Sequence, residues 1–341
     1  MGTNLRELIF SKEIEIKELK GKILAVDSFN VLYQFLSTIR QRDGTPLKDS
    51  RGNVTSHLTG MFNRTTKLMK EGVKLIYVFD GEPPLLKQKE RERRYAVKEE
   101  AMKEYELAKE KGDISEMKKY ASRTSKLTGE MIDETKELIW ALGLPVVQAP
   151  SEGEAQVACI VNNGDAFAGV SEDYDSLLYG IQRLIKNLTI SGKRKFGATY
   201  VSVKPTMINF SENMNNLGID RDQLIALAML VGTDYNQGGI KGIGPKTAIK
   251  LVKQHKGDFD KMFKEAKWGD NFDFPWTDVF YSIKKMPVTD KYNVNFGRLN
   301  KEKIFSLLVD KHDFSEERVN SALEGFSKQE EIKKQKSLVD F

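Results

Sequence analysis

Four short apolar runs punctuate the chain. Lys22-Ile23-Leu24-Ala25-Val26-Asp27, Lys74-Leu75-Ile76-Tyr77-Val78-Phe79-Asp80, Pro145-Val146-Val147-Gln148 and Phe167-Ala168-Gly169-Val170-Ser171 each read as a buried strand. Between them lie stretches with helical spacing, such as Phe62, Leu68 and Met69, or Met131 through Leu142. Strand and helix in alternation predict an α/β fold, with a mostly parallel central sheet covered by helices on both faces.

Residues 81–130 break this rhythm. They hold thirteen Lys and Arg and eleven Asp and Glu, with Pro83 and Pro84 at the start. The plain expectation is a solvated helical excursion with i,i+4 ion pairs. The alternative is a helical arch whose inner face meets an anionic strand. Residues 217–256 read as helix, short glycine-rich hairpin, helix, and residues 257–326 as further helices. From Ser327 the chain is polar and reads as a flexible tail.

Composition narrows the function. The 341 residues suffice for one large domain or two small ones, and 30% charged residues beside 40% hydrophobic ones fit a globular protein. A single Cys, Cys159, forbids an internal disulfide and fits a reducing compartment. Three His and one Cys, far apart in sequence, cannot build a zinc finger. No apolar run reaches membrane-spanning length, and Arg6, Glu7, Lys12, Glu13 and Glu15 interrupt any signal-peptide pattern. A net charge of +5 permits a nucleic-acid partner without requiring one.

The acids carry the sharper signal. In an open α/β sheet, ligands sit beyond the carboxyl ends of the strands. Asp27 closes the first run and Asp80 the second. The third leads to Glu152 and Glu154, the fourth to Asp173 and Asp175, and Asp234 follows an apolar helix. Any one of these alone reads as a helix cap or turn residue. Together, on neighbouring strands, seven carboxylates would converge and repel unless cations neutralise them. Oxygen ligands without His or Cys select magnesium or manganese. A pair of such ions about 4 Å apart is the usual device for phosphodiester hydrolysis.

The segment Lys241-Gly242-Ile243-Gly244-Pro245-Lys246-Thr247 is either an ordinary helix–helix turn or a phosphate cradle. Glycines allow close backbone approach, Pro245 suits a helix start, and lysines flank the turn. Binding of that kind grips DNA without reading its sequence.

These motifs resemble those of the flap endonucleases of the 5′-nuclease superfamily, in their archaeal and eukaryotic form, over nearly the whole chain. The resemblance rests on five motifs. They are Val26-Asp27-Ser28-Phe29-Asn30, Tyr77-Val78-Phe79-Asp80-Gly81-Glu82-Pro83-Pro84, Ala149-Pro150-Ser151-Glu152-Gly153-Glu154-Ala155, Ser171-Glu172-Asp173-Tyr174-Asp175, and Gly232-Thr233-Asp234-Tyr235 followed by the hairpin. It implies one nuclease domain over residues 1–326, with an N-terminal part of about 1–100. An arch spans about 82–130 and an inner nuclease part about 131–256, which contains a helix–two-turn–helix at 217–256. The tail is 327–341.

It implies that Asp27, Asp80, Glu152, Glu154, Asp173, Asp175 and Asp234 bind two magnesium ions, with manganese able to substitute. It implies that Lys87 and Arg94 contact the scissile phosphate, and their spacing of seven puts them on one helix face. Their plain reading is surface pairing with Glu90 or Glu92. Tyr33 matches an aromatic that stacks on a base. Arg40, Thr55, Ser56, His57 and Arg64 fall in the stretch that holds the 3′ side of the junction. Lys241, Gly242, Gly244, Lys246 and Thr247 match the grip on downstream duplex, with a potassium ion at the hairpin.

Gln335-Lys336-Ser337-Leu338-Val339-Asp340-Phe341 resembles a sliding-clamp-binding peptide of the PCNA type. Gln335, Leu338 and Phe341 stand at its anchor positions, and the second aromatic is missing. The expectation is a magnesium-dependent 5′ flap endonuclease with 5′–3′ exonuclease activity, in Okazaki-fragment processing and DNA repair. It would be monomeric, away from membranes, and cytoplasmic in an archaeal setting or nuclear in a eukaryotic one. A non-catalytic junction-binding or clamp scaffold would need a lost acid, and none is lost. Within the enzyme class, the alternative is a relative preferring nicks, gaps, bubbles or four-way junctions.

Overall fold

A computed structural model describes residues 3, 5–121, 124–189, 193–196 and 199–326. Its strands are β1 (Lys12–Glu13), β2 (Ile23–Asp27), β3 (Lys74–Phe79), β4 (Val146–Gln148), β5 (Ala168–Val170), β6 (Arg183–Lys186), β7 (Lys193–Phe196), β8 (Thr199–Ser202) and β9 (Thr206–Asn209). The helices begin with α1 (Ser28–Thr38), α2 (Ser56–Lys70), α3 (Gln88–Glu110), α4 (Ile114–Ala121), α5 (Gly129–Ala141), α6 (Gly153–Asn162) and α7 (Phe210–Leu217). They continue with α8 (Arg221–Val231), α9 (Pro245–His255), α10 (Phe259–Glu265), α11 (Trp268–Asn271), α12 (Trp276–Lys284), α13 (Lys301–Phe305) and α14 (Glu316–Leu323).

The four anticipated strands all form, within a residue or so of the expected bounds. They pair in parallel with β6 in the spatial order β6-β5-β2-β3-β4, and β9 and β1 extend the β6 edge antiparallel. The sheet is therefore mixed at one edge. β7 and β8 form a separate antiparallel pair.

Each central strand feeds two cores. Leu24 and Val26 of β2, and Leu75, Tyr77 and Phe79 of β3, face the layer of α1, α2, α5 and the C-terminal helices. Ala25, Ile76 and Val78 face the layer of α6 and α8. Burial on both faces explains why these strands read as unbroken apolar runs.

The chain leaves β2 toward β3 and β4, then returns to the other side of β2 as β5. Strand order thus reverses at β2, and a crevice opens there at the carboxyl edge. Asp27 ends β2, Asp80 follows β3, Glu152 and Glu154 open α6 after β4, and Asp173 follows β5.

The charged excursion after β3 is helical, with one 3-10 turn at Leu85–Lys87 and then α3 and α4, which pack on each other. The helix, turn, helix reading of 217–256 holds as α8 and α9. The further helices expected over 257–326 form as α10 to α14, with an irregular segment between α12 and α13. Residues 286–300 carry no regular element and form a strap across the molecule. Most of it is exposed, and it is anchored by a few long-range side-chain hydrogen bonds. Gln156 exchanges two hydrogen bonds with Thr289 (2.8 and 2.9 Å), and Tyr292 donates to Asp165 at 2.6 Å.

Candidate active site

The seven acids gather at the crevice, each delivered by a different local device. Asp27 caps α1, and its Oδ1 accepts from the Asn30 N–H at 3.2 Å. Asp80 Oδ1 accepts from the Gly153 N–H at 2.8 Å, so the start of α6 fixes the carboxylate after β3. Glu152 is the N-cap residue of α6 yet makes no capping bond, which leaves its carboxylate for the crevice. Asp175 accepts from the Thr3 N–H at 2.8 Å, so the start of the chain braces an acid far along it. Ser171 Oγ lies 3.2 Å from Asp27 Oδ2 and 3.4 Å from Glu154 Oε1, and accepts from the Asp173 N–H at 3.2 Å.

The electrostatics follow from this crowding. Burial, with Asp80 nearby, pushes Asp27 up to about 8. Burial and Glu152 push Asp80 up to about 6, against the opposing bond from Gly153. Burial and Asp173 push Asp175 up to about 6. Burial, then Asp175, Asp27 and Asp173, raise Glu154 well above the usual range. Acids in this state want cations. The Ser171 hydroxyl has one hydrogen and cannot donate to Asp27 and Glu154 together, which suits one of them carrying a proton.

Two cations already enter. Lys87 Nζ pairs with Glu152 and stands 3.7 Å from Asp234 Oδ2. Arg94 donates to Asp234 Oδ1 at 2.7 Å. Burial opposes the Lys87 charge, but Glu152, Tyr235 and Asp234 outweigh it and raise its pKa. Lys87 and Arg94 thus both pair with site acids. The donor set is oxygen only and short of positive charge, which fits hard divalent cations. Among the described residues, no three acids close on one point tightly enough to define a single ion's ligands.

The other predicted residues divide. Tyr33, on α1, is 40% exposed and carries Lys98 Nζ at 4.8 Å over its ring. Lys241, Gly242 and Gly244 in the turn between α8 and α9, and Lys246 and Thr247 in the first turn of α9, are all exposed. Gly242 has φ +84°, which favours glycine, and a Cβ there would meet nothing within 4 Å. Arg40 spends donors on the Ser37 and Gly44 carbonyls and on Ser125 Oγ. Arg64 donates to the Leu188 carbonyl, and its Nε is buried without a hydrogen-bond partner.

Thr55, Ser56 and His57 are buried and contribute to the interior rather than to an open surface. Ser56 Oγ donates to the Ile39 carbonyl at 2.7 Å, and His57 faces Glu134 at 3.5 Å. Gln335, Leu338 and Phe341 lie outside the described residues.

Sequence reasoning missed three site neighbours: Thr3, Ser171 and Lys186. Ser171 stood inside a quoted motif, so its signal was present. Lys186, the last residue of β6, donates to the Glu172 carbonyl and lies 3.5 Å from the Tyr174 ring centroid. Burial lowers its pKa despite nearby acids, and one Lys at a strand end carries no sequence signal.

Carboxylates at a sheet switch point, met by cations from a charged helical excursion, define a metal-dependent phosphodiester hydrolase. The family models agree. The XPG N-terminal domain matches residues 3–101, and the XPG I-region matches residues 143–234, where all but two of the seven acids lie. Flap endonuclease 1 of Pyrococcus abyssi is 49% identical over 99% of this chain and 97% of its own. That of Aeropyrum pernix is 47% identical over 100% and 99%. The solved flap endonuclease-1 from Methanococcus jannaschii is 39% identical, with a TM-score of 0.75, over 94% of this chain and 96% of its own.

The chain belongs to the flap endonuclease family. It is a structure-specific nuclease of DNA replication and repair, of a divalent-metal-dependent class. The catalytic core of Rad2, solved with a DNA substrate, shares the fold at 24% identity and a TM-score of 0.68.

Proposed function

We propose that the chain hydrolyses one phosphodiester bond at the base of a 5′ flap, near the junction of single and double strand, and leaves a ligatable nick. Residues 1–326 act as one nuclease domain. The observation that carries this reading is the set of seven converging acids, four of them held above their ordinary pKa by burial and mutual repulsion. Asp27, Asp80, Glu152, Glu154, Asp173, Asp175 and Asp234 would hold two magnesium ions, which supply an acidified water and neutralise the leaving oxygen. Manganese would serve in their place.

Lys87 and Arg94 stabilise charge developing on the phosphate, at a point they reach from one helix face. Tyr33 offers a half-exposed ring for a base to stack on. Arg40 and Arg64 brace the pocket for the 3′ side. The α8–α9 turn and the start of α9 grip duplex backbone with Lys241, Lys246, Thr247 and the amides at Gly242 and Gly244, and the turn would be the place to hold a potassium ion. A 5′–3′ exonuclease activity uses the same site when the 5′ end is short. The tail residues Gln335, Leu338 and Phe341 would dock on a sliding clamp of the PCNA type. The enzyme works as a monomer, in the cytoplasm of an archaeal cell or in the nucleus of a eukaryotic one.

The test is cleavage of an end-labelled 5′-flap DNA, with magnesium and with chelator, beside single strand and a four-way junction. The expected result is a metal-dependent cut at the flap base and little elsewhere. Asp175→Ala should lose cleavage and keep flap binding. Tight binding without any cut by the unaltered protein would return the scaffold reading.

A further inference from the structure

Lys87 ends the turn that enters α3, and its side chain does not leave the protein. Nζ is paired with Glu152, lies 3.7 Å from Asp234 Oδ2 and sits 5.0 Å from the Tyr235 ring centroid. The side chains of Lys87, Glu152 and Asp234 are only 13%, 12% and 12% exposed. Arg94, two turns on, reaches back to Asp234 Oδ1. Among the described residues, Glu152 and Asp234 are the only two of the seven acids in ion pairs. Both are neutralised by the same short stretch of chain.

An ammonium paired with Glu152 and close to Asp234 competes with a divalent ion for the same carboxylates. In a buried site the two cations repel strongly, because little water screens them. Ion binding there is opposed for as long as the lysine stays in place. The acids therefore fall into two groups. Asp27, Asp80, Glu154, Asp173 and Asp175 have no ion-pair partner among the described residues, whereas Glu152 and Asp234 have cations already in place.

We propose that Lys87, seconded by Arg94, is a built-in counter-ion of Glu152 and Asp234 that a divalent ion must displace. Metal loading then releases the first turns of α3 from the acids, and both cations become free to meet the scissile phosphate. The inference rests on the metal-centre reading above. It adds that the two ions bind unequally, and that the second is coupled to movement of residues 85–94. Before loading, the lysine also keeps two of the repelling acids quiet. Both jobs need a flexible monovalent ammonium rather than a fixed ligand.

The experiment counts bound manganese by the paramagnetic resonance signal of the free ion, in the full chain and in Lys87→Met. The expected result is two binding steps in the unaltered protein. Lys87→Met tightens the weaker one at least tenfold and changes the stronger one less than threefold. Equal affinities in the two proteins overturn the counter-ion role while leaving the metal centre standing. No manganese bound by the unaltered protein overturns the metal centre itself.

A second measurement needs no variant. Hydrogen exchange of the unaltered protein, with and without magnesium, should quicken at the amides of residues 85–94 and slow at residues 152–154. Slower or unchanged exchange at 85–94 on loading overturns the release.

Discussion

Gly153 and Asp80 meet so closely that the glycine's missing side chain is part of the site. The Gly153 N–H donates to Asp80 Oδ1 at 2.8 Å, and a Cβ on Gly153 would stand 2.5 Å from that same oxygen. No real Cβ tolerates such a contact, so Asp80 would have to turn away. Gly153→Ala should therefore act like a displaced ligand. A misplacement of about 1 Å at a reacting centre costs on the order of a hundredfold in rate. Overpacking costs roughly 1–3 kcal/mol of stability. Flap cleavage falling that far, in a protein that still unfolds cooperatively, is the expected outcome. Full activity in Gly153→Ala would show that Asp80 is not held for catalysis.

The raised acids set a pH dependence for the metal-free protein. Asp27 at about 8, and Asp80 and Asp175 at about 6, keep protons that the unfolded chain releases near pH 4. The folded state thus binds more protons than the unfolded one over this window. Stability in chelator should fall as pH rises from about 4 to about 8. Magnesium replaces those protons and binds only the folded state, so it should raise the melting temperature more at pH 8 than at pH 5.5. Thermal scans at both pH values, with and without magnesium, check this. An equal increment at the two values would contradict it.

A second cluster of titratable groups behaves in the opposite sense. His312 lies buried between Asp49 Oδ2 and Glu134 Oε1, each 2.9 Å from a ring nitrogen, and Lys311 reaches Glu134 at 2.7 Å. Burial would raise both carboxyls. Bonds from Asn53 and His312 to Asp49, and from His57, Lys311 and His312 to Glu134, outweigh it and hold each at about 2. Acids with depressed pKa stabilise the fold above their unfolded values. That contribution is lost as pH falls from about 4 toward about 2. Removing one partner of such a buried set costs on the order of 3 kcal/mol. Glu134→Ala should therefore unfold at clearly lower urea at pH 6, and should lose less than the unaltered protein between pH 5 and pH 3. An unchanged urea midpoint at pH 6 would remove the network from the account of stability.

That cluster also marks the limit of what the sequence made legible. The four central strands could be read because burial on both faces turns them into apolar runs, and their parallel pairing put the terminal acids at one edge. β1, at the sheet edge, and β9, beside it, are two- and four-residue strands of mixed polarity, and β7 carries Lys193, Arg194 and Lys195. Such segments pair through backbone, which leaves no apolar pattern to find. The 286–300 strap is held by Gln156, Asn163 and Asp165, some 130 positions away, so no local rule foretells it. His57, His312, Asp49 and Glu134 looked scattered for the same reason. Thr3 bonding to Asp175, and Lys186 over Tyr174, are likewise contacts of tertiary structure alone.

The tail makes the one prediction that the catalytic site cannot. Leu338 and Phe341 are three apart, a spacing that a single helical turn formed on docking would bring to one face, where an apolar pocket on a clamp would take both. Neither residue is near the seven acids in sequence. Leu338→Ala with Phe341→Ala should therefore leave basal flap cleavage unchanged and weaken stimulation by a sliding clamp. Loss of both side chains removes roughly 3–5 kcal/mol of apolar burial if each is fully buried on docking, enough to weaken clamp binding by more than a hundredfold. Cleavage assays with and without clamp, on both proteins, read the effect directly, and equal stimulation of the two would strike the tail from the list of clamp contacts.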